Sequence, residues 1–175
     1  LQKDFMDFFL KGENNRFRSL PSVRLEVRID RDTVNEVRWE NSWPLPNTLY
    51  MPLYLRSSNE LALEAAETPD NVVYNGVSGN AAFEYVFDED TEVSGYIKLK
   101  VWVEARSSSK KLPPDDMALC CFLDKRDKRR QSVRFHGSAG LDCDMVSRGY
   151  GRASCCELNG TESTPWHPVP LLNKR

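Results

Sequence analysis

From Pro21 onward, apolar and charged residues alternate: Val23, Leu25, Val27 and Ile29 are interleaved with Arg24, Glu26, Arg28 and Asp30. A period of two sends successive side chains to opposite faces of an extended chain, so this stretch predicts a half-buried β-strand. The pattern returns over Leu49 to Leu55, in Phe83-Tyr85-Phe87, in Ile97-Leu99-Val101-Val103, in Leu119-Cys121-Leu123 and in Val133-Phe135. Turn-rich segments such as SSN, NGVSGN and LPPDD separate these runs, with no long helical pattern between them. Parallel sheets need crossover helices, so the chain is expected to be all-β, an antiparallel sandwich. Pro44, Pro46, Pro52, Pro113 and Pro114 lack the ladder donor and belong in loops or at edges.

The exception comes first in the chain. In LQKDFMDFFLKG, Leu1, Phe5, Phe8 and Phe9 recur at helical spacing and Gly12 is placed to end the helix. Met6 and Leu10 widen the apolar arc beyond that of an ordinary surface helix, so something is expected to cover it. A membrane anchor fits poorly, because the charges are mixed and the segment has barely three turns. A second aromatic feature, Trp39 and Trp43 in RWENSWPLPNT, predicts a Pro-rich loop whose rings could stack on a ligand or on another domain.

At 175 residues the chain suits one domain with a real core. With 24 Lys+Arg against 26 Asp+Glu, it has no global field to recruit nucleic acid or an anionic membrane. No apolar run reaches the ~20 residues of a membrane helix, and the first residues lack the pattern of a signal peptide. Five cysteines without a C-x-x-C point to buried reduced thiols before disulfides, and to disulfides before metal, hence a reduced, cytoplasmic setting. The vicinal pairs Cys120-Cys121 and Cys155-Cys156 would face opposite ways on a strand and could not chelate zinc together.

Three clusters invite a chemical reading. Ser154 beside Cys155, with His167 or His136 as base, has the residue types of a nucleophilic site. However, GVSG and GSAG are the nearest approaches to a G-x-S-x-G elbow, and both lack the spacing and the following helix. No catalytic residue is therefore assigned, and Ser154 is expected to be a β-sheet residue. Asp88, Asp90 and Glu92 could offer calcium oxygen ligands, but Val93 and Leu99 stand where an EF-hand loop needs Gly and Glu. No metal or cofactor is expected, and acidic turn residues suffice. The run KRDKRR, Lys125 to Arg130, is expected to be a solvated hairpin tip.

Taken in order, LQKDFMDFFLKGENN, SVRLEVR, WENSWPLPNT, EVSGYIKLKVWVEA, DDMALCCFLDK and SRGYGRAS resemble the C-terminal domain of the X-Pro dipeptidyl-peptidase and cocaine-esterase (CocE/NonD) class of serine hydrolases. The resemblance covers nearly the whole chain and rests on the ordered set of segments. It implies a jelly-roll β-sandwich of the galactose-binding-like type, appended to an α/β-hydrolase domain that carries the catalytic Ser, Asp and His. In the family those three precede the equivalent of Leu1, so none is carried over. Residues 1–20 would be the terminal helix and linker of that hydrolase domain, and 21–175 the sandwich, truncated at its C-terminal end.

Two departures stand out. Cys155 and Cys156 occupy positions where the family continues with His and Arg, and Gly151 stands where the family has Leu. The implied role is that of a non-catalytic accessory domain, packing on the catalytic domain of the same polypeptide and shaping substrate access. Phe5, Phe8, Phe9, Trp39 and Trp43 are then the candidate contact residues. A homo-oligomer of the parent enzyme stays open. A different class, a free-standing carbohydrate-binding module, is the competing expectation, because such sandwiches bind sugars with loop aromatics.

Overall fold

The computed structural model describes residues 1–107, 116–137, 141–165, 168–169 and 171. Helix α1, Gln2–Lys11, forms where the helical spacing placed it. Gly12 ends it in the left-handed region at φ 68°, its N–H donating to the Asp7 carbonyl, a conformation cheap only without a Cβ. Lys3 and Lys11 both reach Asp7, one turn away on either side, the Lys11 bond being 2.6 Å. A 3-10 turn, Arg16–Ser19, follows, capped by the Asn15 side chain accepting from the Phe17 N–H at 2.9 Å.

Strand pairing is antiparallel throughout the named strands. β1 (Val23–Arg28) pairs with β2 (Val34–Glu40), and β3 (Tyr54–Leu55) with β4 (Leu61–Ala62). Then β5 (Ala118–Leu123), β6 (Lys125–Arg126), β7 (Ser132–Val133), β8 (Phe135–His136), β9 (Cys143–Asp144) and β10 (Ser147–Arg152) form three further ladders. These join β5 to β10, β6 to β7 and β8 to β9.

Two compact units divide the chain: Leu1–Trp43 with Tyr96–Arg175, and Pro44–Gly95. Within the first, the turn after β1 is well tied. Asp30 accepts from the N–H groups of Asp32 and Thr33, and the Arg31 N–H donates to the Arg134 carbonyl at 2.8 Å. Within the second, the β3–β4 turn passes through Asn59 at φ 67°, which a short polar side chain tolerates. Glu84 joins it by backbone bonds to Asn59 and Leu61, and Gly95, at φ 126°, lies against Thr48 Cγ2.

Two expectations are corrected here. First, among the described residues no apolar side chain is buried, and Asp7 is the sole buried polar one. The register explains part of this. Directly opposed residues share a face, and β1 sets Val23, Leu25 and Val27 opposite Glu40, Arg38 and Glu36, while Arg24 and Glu26 oppose Trp39 and Val37. Each face of the hairpin is thus mixed, and neither is dry. Second, Ile97 to Val103 alternates well but joins no ladder among the described residues, with Trp102 83% exposed. Alternation specifies an extended chain with two different faces and leaves the choice of neighbour to long-range contacts.

Candidate functional site

The aromatic face of α1 is completed by a residue the periodicity did not single out. Phe17, in the 3-10 turn, lies with ring centroids 5.3 Å from Phe5, 5.9 Å from Phe8 and 5.8 Å from Phe9. Phe5 and Phe9 approach to 4.8 Å, and Phe8 and Phe9 meet edge to face at 5.0 Å. Four rings at these spacings form one cluster of favourable tilted and edge-on contacts. Two bonds hold the turn against the helix: the Asn15 side chain donates to the Asp4 carbonyl, and Arg16 Nε donates to the Asp4 carboxylate at 2.8 Å. The cluster is not closed over. Phe9 is 60% exposed and Leu10 77% exposed, with Phe5 and Met6 also open to solvent.

Beside the cluster lies a cavity of about 370 Å³ whose walls include Phe8, Phe17, Leu20 and Trp39, with Arg18 and Arg24 also lining it. Trp39 is therefore a β2 residue and not part of the Pro-rich loop expected for it. VNEVRWE has no clean alternation, which is why the strand was not legible. Trp43 has different company, meeting Tyr96 edge-on at 6.1 Å. The structure thus groups Phe5, Phe8 and Phe9, joins Trp39 to Phe8 through the cavity, and gives Trp43 a neighbour of its own.

Ser154 is not a strand residue. The strand ends at Arg152, and Ser154 sits in the following 3-10 turn, Ala153–Cys155. Its hydroxyl donates to Asp116 at 2.9 Å, its N–H donates to the same carboxylate at 3.0 Å, and Arg152 pairs with it at 2.6 Å. A hydroxyl and an N–H that donate to one carboxylate close a turn. Hydrogen bonds from the Met117 and Ser154 N–H groups and the Ser154 hydroxyl, together with Arg152, hold the Asp116 carboxyl well below the usual carboxylate range. His136 is in β8, opposite Cys143, and His167 lies outside the described residues.

The cysteines are free, and the expectation that they are buried is corrected. Cys120, Cys143 and Cys156 are exposed, and Cys121 and Cys155 are half-buried. The β5–β10 ladder explains the first pair: Cys120 opposes Tyr150 and Cys121 opposes Gly149, on opposite faces of two strands. Partial burial pushes the Cys121 thiol up. Among the described residues no three His, Cys, Asp or Glu side chains come together as a metal site. KRDKRR is a hairpin tip, with β6 and β7 as its stem and Asp127 accepting from the Arg129 and Gln131 N–H groups at 2.8 Å. No helix among the described residues is long and apolar enough to cross a membrane.

Comparison with known proteins fits this fold and this arrangement of residues. The model of the X-Pro dipeptidyl-peptidase C-terminal non-catalytic domain matches residues 15–170. The chain belongs to this family. As an X-Pro dipeptidyl-peptidase C-terminal domain it is 34% identical, over 89 residues, to cocaine esterase from Rhodococcus sp. (strain MB1 Bresler); the match covers 50% of this chain and 14% of the esterase. Two crystal structures of a CocE/NonD family hydrolase from Staphylococcus aureus superpose with a TM-score of 0.82 at 33% identity, covering 97% of this chain and 30% of that one. The all-β sandwich expected from the alternation is the fold this likeness carries. The domain spans less than a third of either relative.

Proposed function

We propose that the chain is the accessory sandwich of a serine hydrolase, non-catalytic in itself, that packs on an α/β-hydrolase catalytic domain of the same polypeptide. The observation that carries this is the four-phenylalanine cluster of α1 and the 3-10 turn, tied down internally and open on its outer side. A contiguous apolar patch of this kind is a feature of interaction surfaces. Residues 1–20 form the element that meets the catalytic domain, and residues 21–175 form the sandwich behind it. By buttressing one wall of the active site the sandwich restricts which substrates enter, with Trp39 and Trp43 supplying apolar contact. The parent reaction on this reading is acyl transfer to water through a serine ester, with X-Pro peptides or small esters as substrates. That the family is described as a non-catalytic X-Pro dipeptidyl-peptidase domain, and that a relative is a cocaine esterase, supports this reading.

The test uses the polypeptide with everything encoded ahead of Leu1. Phe5→Ser with Phe9→Ser should loosen the sandwich from the preceding domain, seen as new proteolytic cleavage between them. It should also lower kcat/KM for an X-Pro p-nitroanilide or a small ester about tenfold or more. An upstream sequence without a G-x-S-x-G elbow, or a double variant indistinguishable from the parent in both readouts, overturns the reading. Saturable binding of simple sugars would favour the carbohydrate module instead.

A further inference from the structure

The cavity between α1, the 3-10 turn and β2 combines two chemistries. Its walls include the apolar residues Phe8, Phe17, Leu20 and Trp39, the polar Ser22, and two arginines, Arg18 and Arg24. The two arginines differ in occupation. Arg24 is paired with Glu26, and the neighbouring Arg16 with Asp4. Among the described residues, the Arg18 guanidinium has neither an ion-pair nor a hydrogen-bond partner. Its side chain is exposed beside the apolar walls. A volume of about 370 Å³ is at the lower end of ligand sites and equals about a dozen water volumes at roughly 30 Å³ each, enough for a large side chain.

We propose that this cavity receives an acidic, apolar segment of the catalytic domain: one large apolar side chain between Phe8, Phe17 and Trp39, with a carboxylate one or two residues away on Arg18. The proposal rests on the accessory-domain reading and adds to it the chemistry of the partner. An apolar side chain is selected by Phe8, Phe17, Leu20 and Trp39, which outnumber the single hydroxyl residue of the wall, Ser22. A carboxylate is selected by Arg18, whose planar fork matches it in two parallel hydrogen bonds. A basic segment would meet Arg18 and Arg24 as like charges, so the site discriminates by repulsion as well as attraction.

The experiment titrates the isotope-labelled 175-residue chain, followed by NMR, with two probes: acetyl-Asp-Leu-Phe-Asp-amide and acetyl-Lys-Leu-Phe-Lys-amide. The acidic peptide should shift the Trp39 indole and Arg18 Nε signals saturably, and the lysine peptide should bind at least about tenfold more weakly. Arg18→Gln should weaken the acidic peptide about fivefold, and added salt should narrow the gap between the probes. Equal binding of both peptides, no effect of R18Q, or no binding at all overturns the proposal. The two readings fail separately. If Phe5→Ser with Phe9→Ser frees the sandwich in the parent polypeptide while the peptides fail here, the accessory role stands and this site does not. If the acidic peptide binds but no hydrolase domain precedes Leu1, the accessory role falls and the catalytic-domain occupant falls with it, leaving only the cavity's preference for acidic, apolar segments.

Discussion

Arg31 and Asp142, 111 positions apart, meet through two parallel hydrogen bonds of 2.8 Å each. The guanidinium fork on the turn after β1 thereby holds the segment entering β9, next to the backbone bond from Arg31 to Arg134. Fork geometry is what lysine lacks. Arg31→Lys should speed hydrogen exchange at Phe135, His136 and Cys143, and Arg31→Ala should speed it further, with β5 and β10 unchanged. Uniform acceleration across all ladders would count against a local clasp.

Asp116 predicts the response to acid. Its folded-state pKa is depressed, so its contribution is complete above the ordinary value of 3.8 and is lost as pH falls below that toward the lower folded value. Asp116→Asn should be the less stable protein at pH 7, with the difference from the parent shrinking between about pH 4 and pH 2. Ser154→Ala should do the same more weakly, since the backbone N–H still donates. A gap between D116N and parent that is flat in acid would contradict this assignment.

Gly12 gives a prediction about backbone alone. At φ 68°, with nothing within 4 Å of an added Cβ, substitution meets conformational strain and no clash. Gly12→Ala should cost about 1 kcal/mol in denaturant unfolding and Gly12→Asn roughly half of that, because asparagine tolerates the left-handed region. Equal losses would point to something other than φ.

Phe17→Ala removes the ring that contacts all three helix phenylalanines, so the loss should reach about 2 kcal/mol, more than for the outward-facing Phe9→Ala. The ratio can be read from paired urea melts. If Phe9 proves the costlier, the cluster is anchored from its outer side.

The sequence showed α1 with its glycine stop, β1, β5 and the basic hairpin tip, because each depends on local period or turn chemistry. It hid β2, where Val34 and Val37 are three residues apart and only Val37 and Trp39 keep a period of two. Phe17 escaped notice because it is a single aromatic in the polar run NNRFRS; its one local signal is Asn15 two residues before it, the cap that starts the turn. Ser154 looked reactive by its neighbours in sequence, and its true neighbour, Asp116, is 38 residues away. In the aromatic site, the three helix phenylalanines could be read from spacing, whereas the place of Trp39 beside them depends on how the chain returns.

The mixed faces of the β1–β2 hairpin bear on colloidal behaviour. Val37 stands across from Glu26, and Trp39 across from Arg24. Each exposed apolar group therefore has a charged gatekeeper, the device by which open ladders resist pairing with copies of themselves. A slip of one residue would gather Val23, Leu25 and Val27 alongside Val37 and Trp39 into one sticky face. At a net charge of only -2, long-range repulsion does little to keep copies apart, so register is what stands between this hairpin and aggregation.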